Sequence, residues 1–172
     1  MGNQGQWGIP GWSMQDSVAD IVMLAAREFS ERPVLELGTS RGRLSATLAS
    51  IGCNVTTVDH QDRGAAQNLA GLPVDVIIAD ASEYLQTTNK IFDLIIVDLH
   101  GNSVPEWEKL SGALNRQLSK DVTLIINNTQ LYNQKIWRSE RGARWFVDYM
   151  SSKFDVTEFN HYPGVAILRK KI

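Results

Sequence analysis

The feature that most constrains this chain is a short apolar strand that runs into a glycine turn and then into a helical pattern. Residues 33–37 read PVLEL and are followed by Gly38 and Gly42. From Leu44 onward, apolar side chains recur at the spacing of a helix. Glycine lets a bulky group approach the backbone, and the first turn of a helix has free N–H groups. The stretch therefore predicts a ligand-binding turn between a buried strand and a helix.

A second predicted strand, residues 54–58, leads directly into Asp59. In doubly wound folds an acidic residue at this place accepts hydrogen bonds from a ribose diol. The three-glycine fingerprint of dinucleotide-binding proteins is absent, because only Gly38 and Gly42 occur where it would stand. Glu36, at the end of the first strand, would repel a phosphate but could accept hydrogen bonds from an ammonium group. We therefore expect a nucleoside ligand without a pyrophosphate.

Strand and helix patterns alternate along the rest of the chain. They predict an α/β fold with a mainly parallel, doubly wound sheet of about seven strands, helices on both faces and an antiparallel C-terminal hairpin. The predicted strands are residues 34–37, 54–58, 74–79, 92–97, 122–126, 154–159 and 165–169. The predicted helices are residues 13–29, a segment from residue 44, and residues 62–72, 82–85, 105–118 and 141–151. Residues 1–12 predict an irregular arm, and residues 13–172 a single domain.

Composition narrows the class of protein. The chain has 172 residues, and its 17 Lys and Arg against 19 Asp and Glu give a formal net charge of −2, which argues against a nucleic-acid or membrane-surface protein. The single cysteine, Cys53, excludes an intramolecular disulfide and fits a reducing compartment. We find neither a membrane-spanning apolar run nor a signal-peptide pattern. A cytoplasmic location is therefore the expectation.

Two motifs carry a family resemblance. VLELGTSRG at residues 34–42 and TTVD at residues 56–59 resemble motif I and the acidic second strand end of class I S-adenosylmethionine-dependent methyltransferases. The variant with Glu36, Thr39 and Gly42 is similar to the catechol O-methyltransferase-like branch. The resemblance covers the chain from about residue 13 and implies a Rossmann-like fold, S-adenosylmethionine as cofactor and a small-molecule acceptor, with oxygen as the expected receiving atom. The N-terminal arm either packs on the core or caps the pocket.

The resemblance also implies a set of residues that line the cofactor. Asp80, at the third strand end, would receive the adenine amino group, although Asp80 or Ser82 could instead cap the helix that follows. His60 is either a neighbour of the adenine or an exposed loop residue. The full expected set is Glu36, Gly38, Thr39, Ser40, Gly42, Asp59, His60, Asp80, Ala81 and Asp98.

Asp98, His100 and Asn128 are expected to face the acceptor. In the resembled branch, Asp, Asp and Asn at the fourth and fifth strand ends bind a divalent cation, which lowers the pKa of the acceptor hydroxyl. Asp98 and Asn128 match the first and last of these ligands, but Asn127 stands where the second Asp should be. Two interpretations remain open: Asp98, Asn127 and Asn128 bind Mg²⁺ weakly, or the metal is lost and Asp98 or His100 acts as general base.

Four basic residues, Lys135, Arg138, Arg141 and Arg144, recur every three positions between the predicted fifth strand and the helix that follows it. They form either a solvated face or a binding site for an anionic acceptor. Two other functions also remain open for the whole chain. One is a domain that binds S-adenosylmethionine without catalysis, and the other is a nicotinamide-nucleotide enzyme, against which the missing glycine counts.

Overall fold

A computed structural model describes residues 16–99, 103–118, 121–130 and 141–171. Its strands are β1 (Pro33–Leu37), β2 (Asn54–Asp59), β3 (Val74–Ile78), β4 (Leu94–Val97), β5 (Thr123–Asn127), β6 (Phe154–Phe159) and β7 (Val165–Lys170). They form one seven-stranded sheet in the order β3-β2-β1-β4-β5-β7-β6. The first five strands pair in parallel, and β7 runs antiparallel to both β5 and β6. This sheet confirms the predicted fold class and its C-terminal hairpin.

Helices pack on both faces of the sheet and enclose two large cores, and a small third cluster contains Ala46, Ala65 and Leu69. The α-helices are α1 (Asp16–Ala26), α2 (Arg43–Ser50), α3 (Ala65–Asn68), α4 (Ala81–Thr87), α5 (Val104–Leu114) and α6 (Gly142–Met150). Successive side chains of a strand point to opposite faces, so Leu35 joins the core under α5 and α6, whereas Val34 joins the core under α1. All four residues of β4 are buried, as its continuous apolar run predicts.

The short helix predicted at residues 62–72, with an interruption at Gly64 and a stop at Gly71, is shorter still in the structure, because α3 makes only about one turn. Gly64 precedes α3 with φ +92° and Gly71 follows it with φ +83°, so both leave the right-handed helical region. Asp62 Oδ1 accepts hydrogen bonds from the backbone N–H groups of Gly64 (2.8 Å) and Ala66 (3.4 Å). These contacts stabilise a turn in place of the first turn of a longer helix.

The bounds of the other helices differ from the predicted ones by a few residues. The first helix becomes a 3-10 turn at Arg27–Phe29, and its predicted start at residue 13 lies outside the described residues. Helix α4 is longer than predicted, and Asp80 caps its start, one residue before the predicted one. Helix α5 ends at Leu114 instead of residue 118. The predicted arm, residues 1–12, also lies outside the described residues, so the domain division stays a prediction. In the part of the chain that is described, no helix has the length and apolarity that crossing a bilayer would require.

Candidate functional site

The predicted site residues lie where the parallel strands end. Because β2, β1, β4 and β5 are neighbours and run in the same direction, their carboxyl ends meet at one edge of the sheet. The chain order along the sheet reverses between β1 and β4, and ligands of open α/β sheets bind at such a switch point. The turn after β1 and the residues after β4 therefore form the candidate crevice.

Gly38 and Gly42 shape the turn that follows β1. Gly38 has φ +104°, and a Cβ on it would overlap the backbone carbonyl oxygen of Asp98. Gly42 has φ +87° and directly precedes α2, and a Cβ there would lie 2.7 Å from the side chain of Leu69. Both positions therefore need glycine for close packing within the protein.

Asp59 connects the end of β2 to the glycine turn. Its side chain is 9% exposed, and its Oδ2 accepts the backbone N–H of Ser40 at 2.9 Å. Its Oδ1 accepts the backbone N–H of Gln61 at 3.1 Å and lies 3.1 Å from Nδ1 of His60, which is 71% exposed. A carboxylate oxygen accepts two hydrogen bonds, so Oδ2 has room for one further donor. The arrangement allows Asp59 to accept a hydrogen bond from a ligand hydroxyl while it holds the turn.

A chain of buried hydrogen bonds lies beneath the turn. Oε2 of Glu36 accepts hydrogen bonds from the hydroxyls of Ser45, on α2, and Thr57, on β2, the latter at 2.7 Å. The Thr57 hydroxyl also lies 2.7 Å from that of Thr39, and either hydroxyl can be the donor in this contact. Each of these four side chains is at most 3% exposed. The network therefore fixes β1, β2, α2 and the turn relative to one another.

The carboxyl group of Glu36 is held in its neutral form. Burial raises its pKa from 4.5 to about 8, and the negative charges of Asp98 and Asp59 act in the same direction. The hydrogen bonds from Ser45 and Thr57 offset only part of this rise. Near pH 7, most molecules therefore carry a protonated Glu36 beneath the turn.

Asp80 caps helix α4, the alternative role that the sequence left open. Its Oδ1 accepts the backbone N–H of Glu83 at 3.0 Å and lies 3.3 Å from Nζ of Lys109. Burial alone would raise the pKa of Asp80, but these hydrogen bonds and the charge of Lys109 outweigh it and lower the pKa. Asp80 is therefore ionised at neutral pH, and it leads into Ala81, the first residue of α4. Contact of either residue with an adenine base stays a prediction.

Asp98, Asn127 and Asn128 do meet at the carboxyl ends of β4 and β5. Oδ1 of Asp98 accepts a hydrogen bond from Nδ2 of Asn127 at 2.6 Å and from Nδ2 of Asn128 at 3.1 Å. The Asn128 amide also donates to the carbonyl of Leu99 at 3.2 Å. Asn128 has φ +65°, a left-handed conformation that asparagine tolerates. The two amides are therefore anchored on the Asp98 carboxylate.

This arrangement does not fit a magnesium ion. Mg²⁺ binds oxygen ligands in near-octahedral geometry and is usually held by one or two carboxylates. Here the two asparagines turn N–H groups toward Asp98, where a cation would have to lie. Across the described ranges, no group of three or more His, Cys, Asp or Glu side chains is arranged to hold a metal. The prediction of a metal site at Asp98, Asn127 and Asn128 therefore receives no support from the geometry.

Some predicted residues cannot be placed. His100, Lys135 and Arg138 lie outside the described residues, so their roles stay predictions. Arg144 donates to Asp148 and to Glu158, each at 2.7 Å, which links α6 to β6. Its guanidinium already has carboxylate partners, and this reduces its value as an anchor for an anionic ligand.

Three residues near the site were missed by the sequence analysis: Ser45, Thr57 and Lys109. A weak signal existed for Thr57, because it lies two positions before Asp59 and so points to the same face of β2. Ser45 and Lys109 reach the site from helices whose rotation about their axes the sequence pattern left undetermined. Only the tertiary packing brings them to Glu36 and Asp80.

Comparisons with known proteins agree with this geometry. Residues 34–121 match the model of a family described as methyltransferase domain. The solved O-methyltransferase TomG from Streptomyces achromogenes, in complex with SAM, has a TM-score of 0.72 at 20% identity, covering 93% of this chain and 82% of that one. An O-methyltransferase from Bacillus cereus in complex with SAH has a TM-score of 0.74 at 19% identity, and the match covers 95% of this chain and 84% of that one.

A third solved structure differs in its chemistry. The N-methyltransferase NodS from Bradyrhizobium japonicum, in complex with S-adenosyl-L-homocysteine, has a TM-score of 0.72 at 16% identity, covering 98% of this chain and 95% of that one. At these identities the similarities show a shared fold. No curated protein sequence matches the chain.

Proposed function

Because this chain belongs to the methyltransferase domain family, we propose that it transfers a methyl group from S-adenosylmethionine to an oxygen atom of a small-molecule acceptor. The family match confirms the resemblance to class I methyltransferases that residues 34–42 and 56–59 suggest. Similar solved O-methyltransferases contain SAM or SAH, which supports the same cofactor for this chain.

The observation that carries the proposal is the acidic character of the crevice. Asp59 and Asp98 lie at the ends of β2 and β4, on either side of the glycine turn that follows β1, and both are near enough to raise the pKa of the neutral Glu36 beneath that turn. Such a site favours a cationic ligand and disfavours a pyrophosphate. S-adenosylmethionine carries a sulfonium and an ammonium group, whereas a nicotinamide dinucleotide carries two phosphates. The charge of the site therefore favours the methyltransferase function over the nicotinamide-nucleotide alternative.

The residues also provide the contacts that such a cofactor needs. The start of α2 can offer backbone N–H groups to its methionine portion, and the free position on Oδ2 of Asp59 can accept a ribose hydroxyl. When bound, S-adenosylmethionine supplies a methyl group that is already activated for transfer. The protein then has to hold the acceptor in line with the methyl group and remove the acceptor proton.

Asp98 is the residue that we infer removes this proton. Hydrogen bonds from Asn127 and Asn128 anchor its carboxylate at the switch point and leave its charge in place. Since these amides do not fit a metal, we propose direct proton transfer from the acceptor hydroxyl to Asp98, without a divalent cation. His100 remains an alternative base.

The acceptor class is a further part of the proposal. The net charge of −2 argues against a nucleic acid, and O-methyltransferases among the similar structures support a small hydroxylated molecule. Arg144 is a poor anchor for an anionic acceptor, because it is engaged with Asp148 and Glu158. We also infer a cytoplasmic location, since Cys53 is a buried free thiol.

Calorimetric titration tests the cofactor assignment. Wild-type protein should bind S-adenosylhomocysteine, whereas NAD should not bind. Asp59→Asn should weaken the affinity by roughly tenfold to a hundredfold, because it removes a charged acceptor. The matched control is Asp75→Asn, which removes the same charge from an exposed ion pair with Lys90. Binding of NAD in place of S-adenosylhomocysteine would refute the proposal.

A transfer assay tests the reaction. Labelled S-adenosylmethionine is offered with panels of neutral and anionic phenols, alcohols and amines, with and without a chelator. We expect transfer to a hydroxyl compound that the chelator does not inhibit. Asp98→Asn should lower kcat by about a hundredfold or more and remove the acidic limb of the pH–rate profile. Tight cofactor binding with no transfer to any compound would favour the non-catalytic binding domain.

A further inference from the structure

Glu36 is a buried acid that the proposed reaction does not use. It lies on β1, directly beneath the turn that we assign to the cofactor, and is 1% exposed. Its hydrogen-bond partners among the described residues are the hydroxyls of Ser45 and Thr57. A hydroxyl is neutral, so neither partner compensates a negative charge on the carboxyl group. A buried carboxylate without a cationic partner is costly, and the group responds by remaining protonated.

The elements packed around Glu36 reinforce this state. From β2 it faces the charge of Asp59, and from the end of β4 it faces that of Asp98. Its paired neighbour on β4 is the apolar Ile96, and α2 contributes Ser45. Two carboxylates and no cation therefore act on Glu36 from the described elements that contact it. A cation placed in the crevice would reverse the sign of this local field.

We propose that Glu36 is a specificity-determining residue that favours the sulfonium cofactor over its thioether product, by releasing a proton when the cation binds and taking one up when the cation is lost. This inference rests on the proposed function, since it requires S-adenosylmethionine as the ligand. Glu36 acts through charge and through the turn that it supports, and it does not touch the reacting atoms.

The charges balance over one reaction. In methyl transfer the acceptor oxygen provides the electron pair of the new C–O bond, and the electrons of the broken S–C bond remain on sulfur. The acceptor loses its hydroxyl proton to Asp98, and the sulfonium becomes a neutral thioether. Glu36, ionised while the cation was present, then takes a proton from solvent. The crevice thereby loses its attraction for the product at the moment when the product must leave.

Calorimetry of the full chain tests this inference. S-adenosylmethionine and S-adenosylhomocysteine are titrated from about pH 6 to about pH 9, in phosphate and in Tris, whose different ionisation enthalpies reveal the protons released. The ratio of the two affinities should rise with pH, by about tenfold for each unit by which the bound cation lowers the pKa of Glu36. Near neutral pH, the sulfonium ligand should release more protons than the thioether.

Variants separate Glu36 from other titrating groups. The amino group of each ligand also titrates in this range, so the difference between wild type and Glu36→Gln is the decisive quantity. Glu36→Gln should remove the contribution of Glu36 to the pH dependence of the affinity ratio. Glu108 is an exposed glutamate on α5, and Glu108→Gln should behave like wild type. If Glu36→Gln does not fold, ¹³C NMR titration of the glutamate carboxyl groups in wild type should show one group that titrates lower with the sulfonium ligand than with the thioether.

The outcomes distinguish failure of this inference from failure of the proposed function. If both ligands bind and their affinity ratio has the same pH dependence in wild type and in Glu36→Gln, the inference is wrong while the proposed function stands. An NMR titration in which no buried glutamate responds to the ligand charge has the same meaning. If neither ligand binds, both the inference and the proposed function are wrong.

Discussion

The buried position of Glu36 makes a quantitative prediction for the free protein. With its pKa raised from 4.5 to about 8, the folded state holds a proton that the unfolded state releases. Below about pH 4.5 the group is neutral in both states and does not change the free energy of unfolding. As the pH rises toward 8, unfolding releases a proton and the free energy of unfolding falls. Above pH 8 the folded state also ionises, and the loss reaches its full value.

The size of this effect follows from the pKa. At about 1.4 kcal/mol for each unit of pKa, the full loss is on the order of 5 kcal/mol, most of it between pH 5 and pH 9. Glu36→Gln keeps an oxygen that can accept from Ser45 and Thr57 but does not titrate. Relative to wild type, the variant should therefore gain on the order of 4 kcal/mol over this range.

Urea unfolding followed by circular dichroism at several pH values measures this gain. With an m-value of about 2 kcal/mol per molar urea, the two midpoints should move relative to each other by roughly 2 M between pH 5 and pH 9. Glu108→Gln, at an exposed site, should follow the wild-type profile. Parallel profiles for wild type and Glu36→Gln would show that the buried acid does not titrate in this range and would refute the reasoning.

Three further predictions concern the residues around the crevice. Asp80→Ala should cost about 1 kcal/mol in urea unfolding, because it removes the side-chain cap of α4; an unchanged midpoint would contradict this role. Gly42→Ala should cost about 1–3 kcal/mol, since φ is +87° and the new Cβ meets Leu69; a Leu69→Ala background should relieve the steric part, and purely additive costs would rule out the contact. Asn127→Asp should lower the melting temperature without Mg²⁺, because it places a second carboxylate beside Asp98, and added Mg²⁺ should raise that temperature; wild type should show no such response.

The positions of the site residues at the sheet edge could be predicted from the sequence, because the sequence pattern shows where the strands end. Apolar runs bounded by glycine or acidic residues gave the ends of β1, β2 and β4, and parallel strands bring such ends together. The predicted helix at residues 62–72 is shortened to α3, because Gly64 and Gly71, the positions where the pattern indicated an interruption and a stop, both adopt positive φ angles.

The chemical state of the site could not be predicted in the same way. The proton on Glu36 depends on burial and on two carboxylates that lie 23 and 62 positions away in sequence, at Asp59 and Asp98. The orientation of the Asn127 and Asn128 amides depends on the carboxylate of Asp98, which only the completed sheet brings near. Long-range electrostatics and hydrogen bonds therefore decide the properties that the local pattern leaves open.

The antiparallel strand β7 has a consequence for the order of folding. All five residues of β5 pair with β7, yet β5 ends at Asn127 and β7 begins only at Val165. Until β7 arrives, a growing chain would expose one edge of β5, a strand whose five residues are all buried in the finished protein. An unpaired apolar edge is prone to join other chains. Nascent molecules therefore depend on rapid capture of β7, and substitutions that weaken the hairpin should lower the yield of folded protein before they affect the crevice.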